Sequence, residues 1–315
     1  MMPALLVVCY AIAVALVLPL PLRWLSEEGV SPRLGLAAWL TVMVSVLACV
    51  LIALGLLAKT AISGWPTFAR TVCESVSAGI CPPAVYRSAA YELGLAATAL
   101  LGGIAMLLLA WRYGRSLRRA SIRTRAHAEA ARIAGHPIQA WSAAFVLDAT
   151  RPAVYCVPGR PPTIVLTTGA LAVLDPEQLT SVLAHERAHL AGRHHLLLAA
   201  TRSLAAVAPA VPLFARGASE VARLAEMRAD DVAAGHGGRR ALLAALLAMG
   251  AGAASTQAPA AWLAATGGVV ASRVRRLAEP PPFTRWMCHG LALAALTLAI
   301  VVASALVPAL AVTGV

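Results

Sequence analysis

One segment of the chain reads LTSVLAHERAHL, from Leu179 to Leu190. Residues four apart on a helix share a face, so the imidazoles of His185 and His189 can bind one metal ion together. Glu186 lies between them, close enough to hold a water molecule at that ion. This His-Glu-x-x-His spacing is typical of zinc hydrolases, and it predicts a zinc site on a helix.

The neighbouring sequence indicates a folded domain around this motif. Asp175 can cap a helix that begins at Pro176, because proline suits the first helical position. Upstream of that helix, three short β-prone runs are bounded by proline and glycine. These predicted strands are Ala144–Leu147, Ala153–Val157 and Thr163–Thr167.

The composition excludes both an ordinary soluble globular protein and a disordered chain. Of 315 residues, 60% are hydrophobic and only 13% are charged, and the mean hydropathy is +0.76. Soluble domains are nearer half apolar and a quarter charged. The net charge of +12 fits either nucleic-acid binding or the cytoplasmic side of a membrane protein. Because the aromatic fraction of 5% is low for base-stacking surfaces, no direct nucleic-acid partner is expected.

Four long apolar runs predict transmembrane helices, since crossing the hydrocarbon core takes about 20 apolar residues. They cover about residues 3–22, 34–58, 93–111 and 286–313. No basic segment precedes the first run, so we interpret it as an uncleaved span rather than a signal peptide. The predicted organisation is a membrane region, a polar block, and a last span with a short tail, at residues 1–111, 112–285 and 286–315.

Arginine predicts the orientation, because basic residues accumulate on the cytoplasmic side of membrane proteins. Arginines follow the third span and precede the fourth: Arg112, Arg115, Arg118, Arg119, Arg123, Arg125 and Arg132, then Arg273, Arg275, Arg276 and Arg285. In this multi-pass protein of the cell membrane, the polar block is therefore predicted to be cytoplasmic. Both termini are then outside, and Lys59–Ala90 is an outer loop. Cys73 and Cys81 fall in that loop, where a disulfide can persist, and two unrelated thiols are an equal alternative.

Two further stretches leave the number of crossings open. Residues 196–215 are apolar but contain one arginine and two prolines. A single extra crossing there would put the two arginine-rich flanks on opposite sides, so we predict a buried or membrane-apposed helix. A hairpin that also includes residues 241–270 would keep both flanks on one side and is the alternative.

A catalytic zinc ion needs a third protein ligand and an open position. Glu226 and Asp230 lie four residues apart, so they share one helical face. We predict Glu226 as the third ligand and Asp230 as the acceptor for the second ring nitrogen of a zinc-binding histidine. His194 and His195 follow on what reads as the same helix. His194 lies five residues after His189, which fits a shared face poorly, so both are predicted to be interfacial or solvated.

These motifs resemble the gluzincin pattern of integral-membrane peptidases, in which Glu-x-x-x-Asp follows His-Glu-x-x-His by about 40 residues. The segments Pro162–Thr167 and Leu179–Leu190 are most similar to antirepressor peptidases of the BlaR/MecR type, and the HtpX-type membrane proteases are next. Three spans before the polar block and one after it also match the first type. That type carries a penicillin-sensing domain after the last span, which we do not expect in a chain ending at Val315. The resemblance implies a mainly α-helical membrane protein with a cytoplasmic α+β zincin-like metallopeptidase domain.

The resemblance also implies an activity, which is peptide-bond hydrolysis with Zn2+ held by His185, His189 and Glu226. Glu186 is implied to take a proton from the attacking water and to pass it to the leaving amine. Thr163–Thr167 is implied to be an edge strand that pairs with an extended substrate, with a core strand as the alternative. The implied substrate is a cytoplasmic or membrane-proximal protein, such as a transcriptional repressor in a signalling pathway. Membrane-protein quality control and a non-catalytic signalling scaffold are the alternatives, membrane lipids are expected partners, and the oligomeric state is open.

Overall fold

The computed structural model describes residues 2–27, 29–79, 83–138, 144–159, 161–255 and 270–313. Most of these residues are helical. The helices are α1 (Met2–Val17), α2 (Pro19–Ser26), α3 (Pro32–Ser77), α4 (Pro83–Ala134), α5 (Thr168–Val173), α6 (Pro176–Ala191), α7 (His194–Val207), α8 (Pro212–Gly237), α9 (Arg239–Ser255), α10 (270–278) and α11 (Phe283–Thr313). The strands are β1 (His136–Pro137), β2 (Ala144–Leu147), β3 (Val154–Val157) and β4 (Thr163–Thr167).

Four helical stretches are long and apolar enough to cross a membrane: Met2–Ser26, Pro32–Ser77, Arg87–Ala134 and Phe283–Thr313. Each contains the whole of one predicted span. Helices α3 and α4 continue far beyond the predicted ends of their spans, so most of Lys59–Ala90 is helical and the prediction of a loop there was wrong. The loss of apolar character in this stretch does not end the helix. The hydroxyls of Thr71, Ser75 and Ser77 each donate to a carbonyl oxygen one turn earlier.

The structure describes residues 196–215 completely, but it describes the Cys73–Cys81 pair and residues 241–270 only in part. Residues 196–215 do not form one helix, because α7 ends at Val207 and a new helix begins at Pro212. The prolines there interrupt the backbone hydrogen-bond ladder. Cys73 is exposed near the end of α3, whereas Cys81 lies outside the described residues, so their pairing stays a prediction. Residues 256–269 of the second stretch also lie outside them.

Helix α8 packs against the long apolar helices. Leu213 of α8 shares one core cluster with Trp39 of α3 and Leu293 of α11. Gly217 allows this close approach to α3, since a Cβ atom there would displace the end of the Met43 side chain. The polar block is therefore joined to the membrane region by a common core, and α8 holds a fixed position between them.

The four strands form one small mixed sheet in the order β1-β2-β4-β3. Strands β2 and β4 are parallel, and the other two pairs are antiparallel. The three predicted strands are present within one residue of their predicted bounds, whereas β1 and α5 were not predicted. Strand β4 pairs on both sides and is buried along its whole length. Thr163–Thr167 is thus a core strand, and the prediction of an edge strand was wrong.

Candidate metal centre

Helix α6 carries His185, Glu186 and His189, and all three side chains are buried. The predicted cap is confirmed as a complete capping box. Asp175 accepts a hydrogen bond from the backbone N–H of Gln178, whose side chain accepts one from the backbone N–H of Asp175. The apolar face of α6 packs on the sheet in one core cluster. Cap and core together fix where the two imidazoles point.

Helix α8 brings a carboxylate to the same place. The Nε2 atoms of His185 and His189 lie 3.1 Å apart. Glu226 Oε2 lies 3.5 Å from the first nitrogen, and Glu226 Oε1 lies 3.4 Å from the second. These three residues form a group whose donor atoms could hold a metal ion. They are the residues that the sequence predicts as ligands, and zinc binding itself stays a prediction.

The separations suit a tetrahedral zinc site. Zinc binds nitrogen and oxygen ligands at about 2.0–2.2 Å, so two ligands of a tetrahedron lie about 3.3 Å apart. The distances among the three donor groups here, 3.1 to 3.5 Å, are close to that value. Two imidazoles and one carboxylate are also a donor set of catalytic zinc sites that keep a fourth position open.

An ion pair behind the donors sets the orientation of one imidazole. Asp230 is 1% exposed, and its Oδ1 lies 3.0 Å from His185 Nδ1. Arg273 of α10 donates hydrogen bonds of 2.8 and 2.7 Å to the two oxygens of Asp230, and its Nη1 lies 3.0 Å from Glu226 Oε2. Burying a carboxylate is costly without such a partner. Arg273 therefore keeps Asp230 ionised beside Nδ1 of His185, which leaves Nε2 turned toward Glu226.

The second imidazole is contacted by a histidine. His194 is buried, and its Nδ1 lies 3.0 Å from His189 Nδ1. The prediction that it continues the same helix and is interfacial or solvated was wrong. Helix α6 ends at Ala191, and Arg193 adopts a left-handed conformation with a φ of 49° that turns the chain back. His195 is partly exposed and lines the cleft described next.

Glu186 is held by the sheet. Its Oε2 accepts a 2.8 Å hydrogen bond from the backbone N–H of Cys156 on β3. Burial is the main reason that the pKa of Glu186 is raised. Strand β3 pairs only with β4 among the described strands, so β3 is an edge strand of the sheet. It occupies the edge position that was predicted for Thr163–Thr167. A cleft of about 400 Å³ lies along β3 and contains Glu186 and the three donor residues.

The charged groups around the donor residues favour the protonated form of His185. Burial alone lowers the pKa of His185, but Asp230 and Glu226 outweigh it and raise that pKa to about 9. Burial lowers the pKa of His189 to about 4. Burial raises the pKa of Glu226 and Asp230, yet His185 and Arg273 bring both values down to about 2. Two carboxylates thus face the site as anions, which favours a bound cation.

A family model described as Peptidase family M48 matches residues 116–280, just over half of the chain. The chain belongs to peptidase family M48. Membership implies a metalloprotease, and the matched region of this M48 peptidase contains the sheet, the donor residues and Arg273. No curated protein and no solved structure gives a significant match. The match does not separate the two membrane-peptidase types that the motifs resemble.

Sequence reasoning missed two contacts in this M48 site. In the sequence, Arg273 indicates only the membrane orientation, and the one signal for its contact with Asp230 is that a buried carboxylate needs a cationic partner. The sequence gives a clearer signal for the end of α6, because glycine is common at helix ends and Gly192 follows Ala191. If the helix is taken to end at Gly192, the five-residue spacing of His189 and His194 no longer argues against a contact between them.

Proposed function

We propose that this M48 peptidase is a zinc-dependent endopeptidase that cleaves a cytoplasmic or membrane-proximal protein. The observation that carries the proposal is the convergence of His185, His189 and Glu226 at tetrahedral spacing, with Glu186 buried beside them. A zinc ion held by these three residues supplies Lewis acidity toward the scissile carbonyl and the attacking water.

Glu186 moves the proton. One of its oxygens is engaged by the backbone N–H of Cys156, which fixes the carboxylate and leaves the other oxygen for proton transfer. It accepts the proton of the attacking water and delivers it to the leaving amine. The pKa raised by burial suits this exchange, because a carboxylate with an ordinary pKa binds a proton weakly near neutral pH.

Strand β3 positions the substrate. An extended peptide can add to a free sheet edge through main-chain hydrogen bonds, with alternate side chains entering pockets. Strand β3 borders the cleft and contacts Glu186, so a peptide paired with it passes the donor residues. The scissile bond would then lie between the sheet edge and α6.

The catalytic domain is proposed to lie on the cytoplasmic face of the membrane, with both termini outside. The four apolar helices and the arginines beside the third and fourth spans support this placement. The similarity to antirepressor peptidases favours a transcriptional repressor as substrate, and membrane-protein quality control is the alternative. Anionic lipids are proposed partners of the arginines nearest the membrane.

Substitution of Glu186 tests the activity. The full chain in detergent micelles is loaded with zinc and incubated with a peptide library made from digested whole-cell protein. Glu186→Gln should keep its zinc and lose cleavage by about 10²- to 10⁴-fold. Glu177→Gln is the matched control, because Glu177 is exposed in the first turn of the same helix. Undiminished cleavage by Glu186→Gln overturns the proposal, and zinc-loaded wild type that cleaves nothing supports the non-catalytic scaffold.

Thiol labelling tests the orientation. In intact cells, a membrane-impermeant maleimide should label Cys73 of the natural chain under mild reduction, but it should not label Arg118→Cys in a chain whose own cysteines are replaced by serine. Permeabilised cells should show labelling at both positions. Labelling of Arg118→Cys in intact cells would overturn the cytoplasmic placement.

A further inference from the structure

A second and larger hollow, of about 1060 Å³, opens beside the cleft between α4 and α7. A hydrogen bond of 2.9 Å between Ser116 and Ser203 joins these two helices. The two hollows adjoin, because four residues line both of them: Tyr155, Cys156, His195 and Leu198. A polypeptide that leaves the cleft past β3 therefore enters this second hollow, which we call the basic groove.

Arginines form one wall of the basic groove. Arg112, Arg115, Arg119 and Arg123 recur every three to four residues along α4, so they form one stripe on that helix, and Arg202 of α7 lines the same space. All five side chains are exposed. Among the residues that the structure describes, no aspartate or glutamate lines the groove, and none of the five arginines forms an ion pair with a carboxylate.

We propose that the basic groove binds an acidic segment of the protein substrate on one side of the scissile bond. The acidic segment then lies on the side of the scissile bond that faces the membrane region. The direction of the groove supports this, because it runs from the sheet edge to Trp111, where the predicted third span ends. The inference rests on the proposed peptidase function.

The geometry gives the spacing of the acidic residues. His127 Nε2 lies 3.0 Å from the Tyr155 hydroxyl, which marks where the stripe meets β3. At about 1.5 Å per helical residue, Arg123 is about 6 Å and Arg112 about 22 Å from that point. An extended chain advances about 3.3 Å per residue. Acidic side chains are therefore expected from about 2 to about 7 residues beyond the segment that pairs with β3.

Anionic lipid headgroups are the competing ligand for these arginines. The headgroup layer extends about 5–8 Å beyond the hydrocarbon core on each face. Along α4, Arg119 and Arg123 lie about 12 and 18 Å past Trp111. The backbone of both residues therefore lies outside a headgroup layer that begins at Trp111, and Arg123 lies too far from it for its side chain to reach back, which favours a polypeptide.

Cleavage profiling of the full, zinc-loaded chain tests the groove. In the peptide library, bonds cut by wild type should have aspartate and glutamate enriched within about ten residues on one side. The double variant Arg119→Gln/Arg123→Gln should lose this enrichment. Arg118→Gln/Arg125→Gln should keep it, because it removes the same charge from the same helix outside the groove. Arg119→Lys/Arg123→Lys should also keep it, since charge is the required property.

A selected acidic peptide then gives a quantitative comparison. Replacing its acidic residues by glutamine should lower wild-type kcat/KM by about tenfold, as expected for two exposed charge pairs. Equal kcat/KM for both peptides overturns the groove proposal and leaves the peptidase standing, whereas no cleavage of any peptide overturns both. If Arg119→Gln/Arg123→Gln instead retains fewer phosphatidylglycerol molecules in native mass spectrometry, with no acidic preference in wild type, the groove is a lipid site.

Discussion

Arg273 and Asp230 form a buried ion pair with two hydrogen bonds, of 2.8 and 2.7 Å, directly behind the candidate metal centre. The two residues are 43 positions apart, on α10 and α8. Because Asp230 lies 3.0 Å from His185 Nδ1, the orientation of a proposed ligand depends on an arginine from the far end of the matched domain.

Removing the arginine should destabilise the metal-free protein. Arg273→Gln leaves the buried Asp230 with protonated His185 as its cationic partner and removes two hydrogen bonds, so the cost should reach at most about 3–5 kcal/mol, the value for a fully broken buried pair. Thermal unfolding of the chelator-treated full chain measures the loss. Arg275→Gln is the control, because Arg275 is exposed on the same helix. Equal melting temperatures for the two variants would contradict the importance of the pair.

Neutralising Asp230 should weaken zinc binding. Asp230→Asn keeps the shape but removes the charge that holds the Nδ1 proton of His185, and losing such a partner lowers metal affinity by about 10- to 100-fold. Chelator competition measures the change. Asp231→Asn is the neighbouring control, since Asp231 pairs with Arg276 at 2.7 Å and does not face the site. The prediction fails if both variants bind zinc as tightly as wild type.

Two different substitutions that disturb the contact between His194 and His189 should each lower zinc affinity. His194→Phe removes the partner of His189 Nδ1 and should lower zinc affinity by about tenfold. Gly192→Ala should have the same direction of effect, because its Cβ would lie 2.5 Å from His194 Nε2 and displace that ring. His236→Phe should change nothing, because His236 is exposed in the last turn of helix α8. Unchanged affinity in both site variants would show that the contact does not support the ligand.

Zinc affinity should rise with pH across the neutral range. The pKa of His185 is raised to about 9 in the metal-free site, whereas zinc binds only the neutral imidazole, so protons compete with zinc at all lower pH values. From about pH 8 to about pH 6 the apparent affinity should fall about tenfold per unit. His189, with a pKa of about 4, and Glu226, with a pKa of about 2, do not titrate in that range. Competition assays at several pH values check this, and a flat profile would contradict it.

The sequence was most informative where structure is local. The four-residue spacing of His185 and His189, and of Glu226 and Asp230, assigns each pair to one helical face. The cap at Asp175 and the three strand segments also depend on short-range patterns. These predictions agree with the helices and strands that the structure has.

Predictions that depended on long-range or single-residue effects were weaker. Hydropathy indicates where a helix can lie in lipid and not where it ends, so it does not predict how far α3 and α4 extend beyond the membrane spans. The left-handed Arg193 redirects the chain toward His189, and arginine carries no signal for that conformation. The pairing of Arg273 with Asp230 depends on how α8 and α10 pack, which local patterns do not encode.

Helix α4 runs unbroken for 52 residues from Pro83 to Ala134, about 78 Å in length. Its far end is fastened to the sheet, where Arg132 donates a 2.9 Å hydrogen bond to Thr163. Sixteen residues earlier, Ser116 of the same helix is joined to Ser203 of α7 by a hydrogen bond of 2.9 Å. Packing against neighbouring helices sets the tilt of a membrane helix, so these two attachments keep the arginine stripe of α4 at a fixed distance from α7.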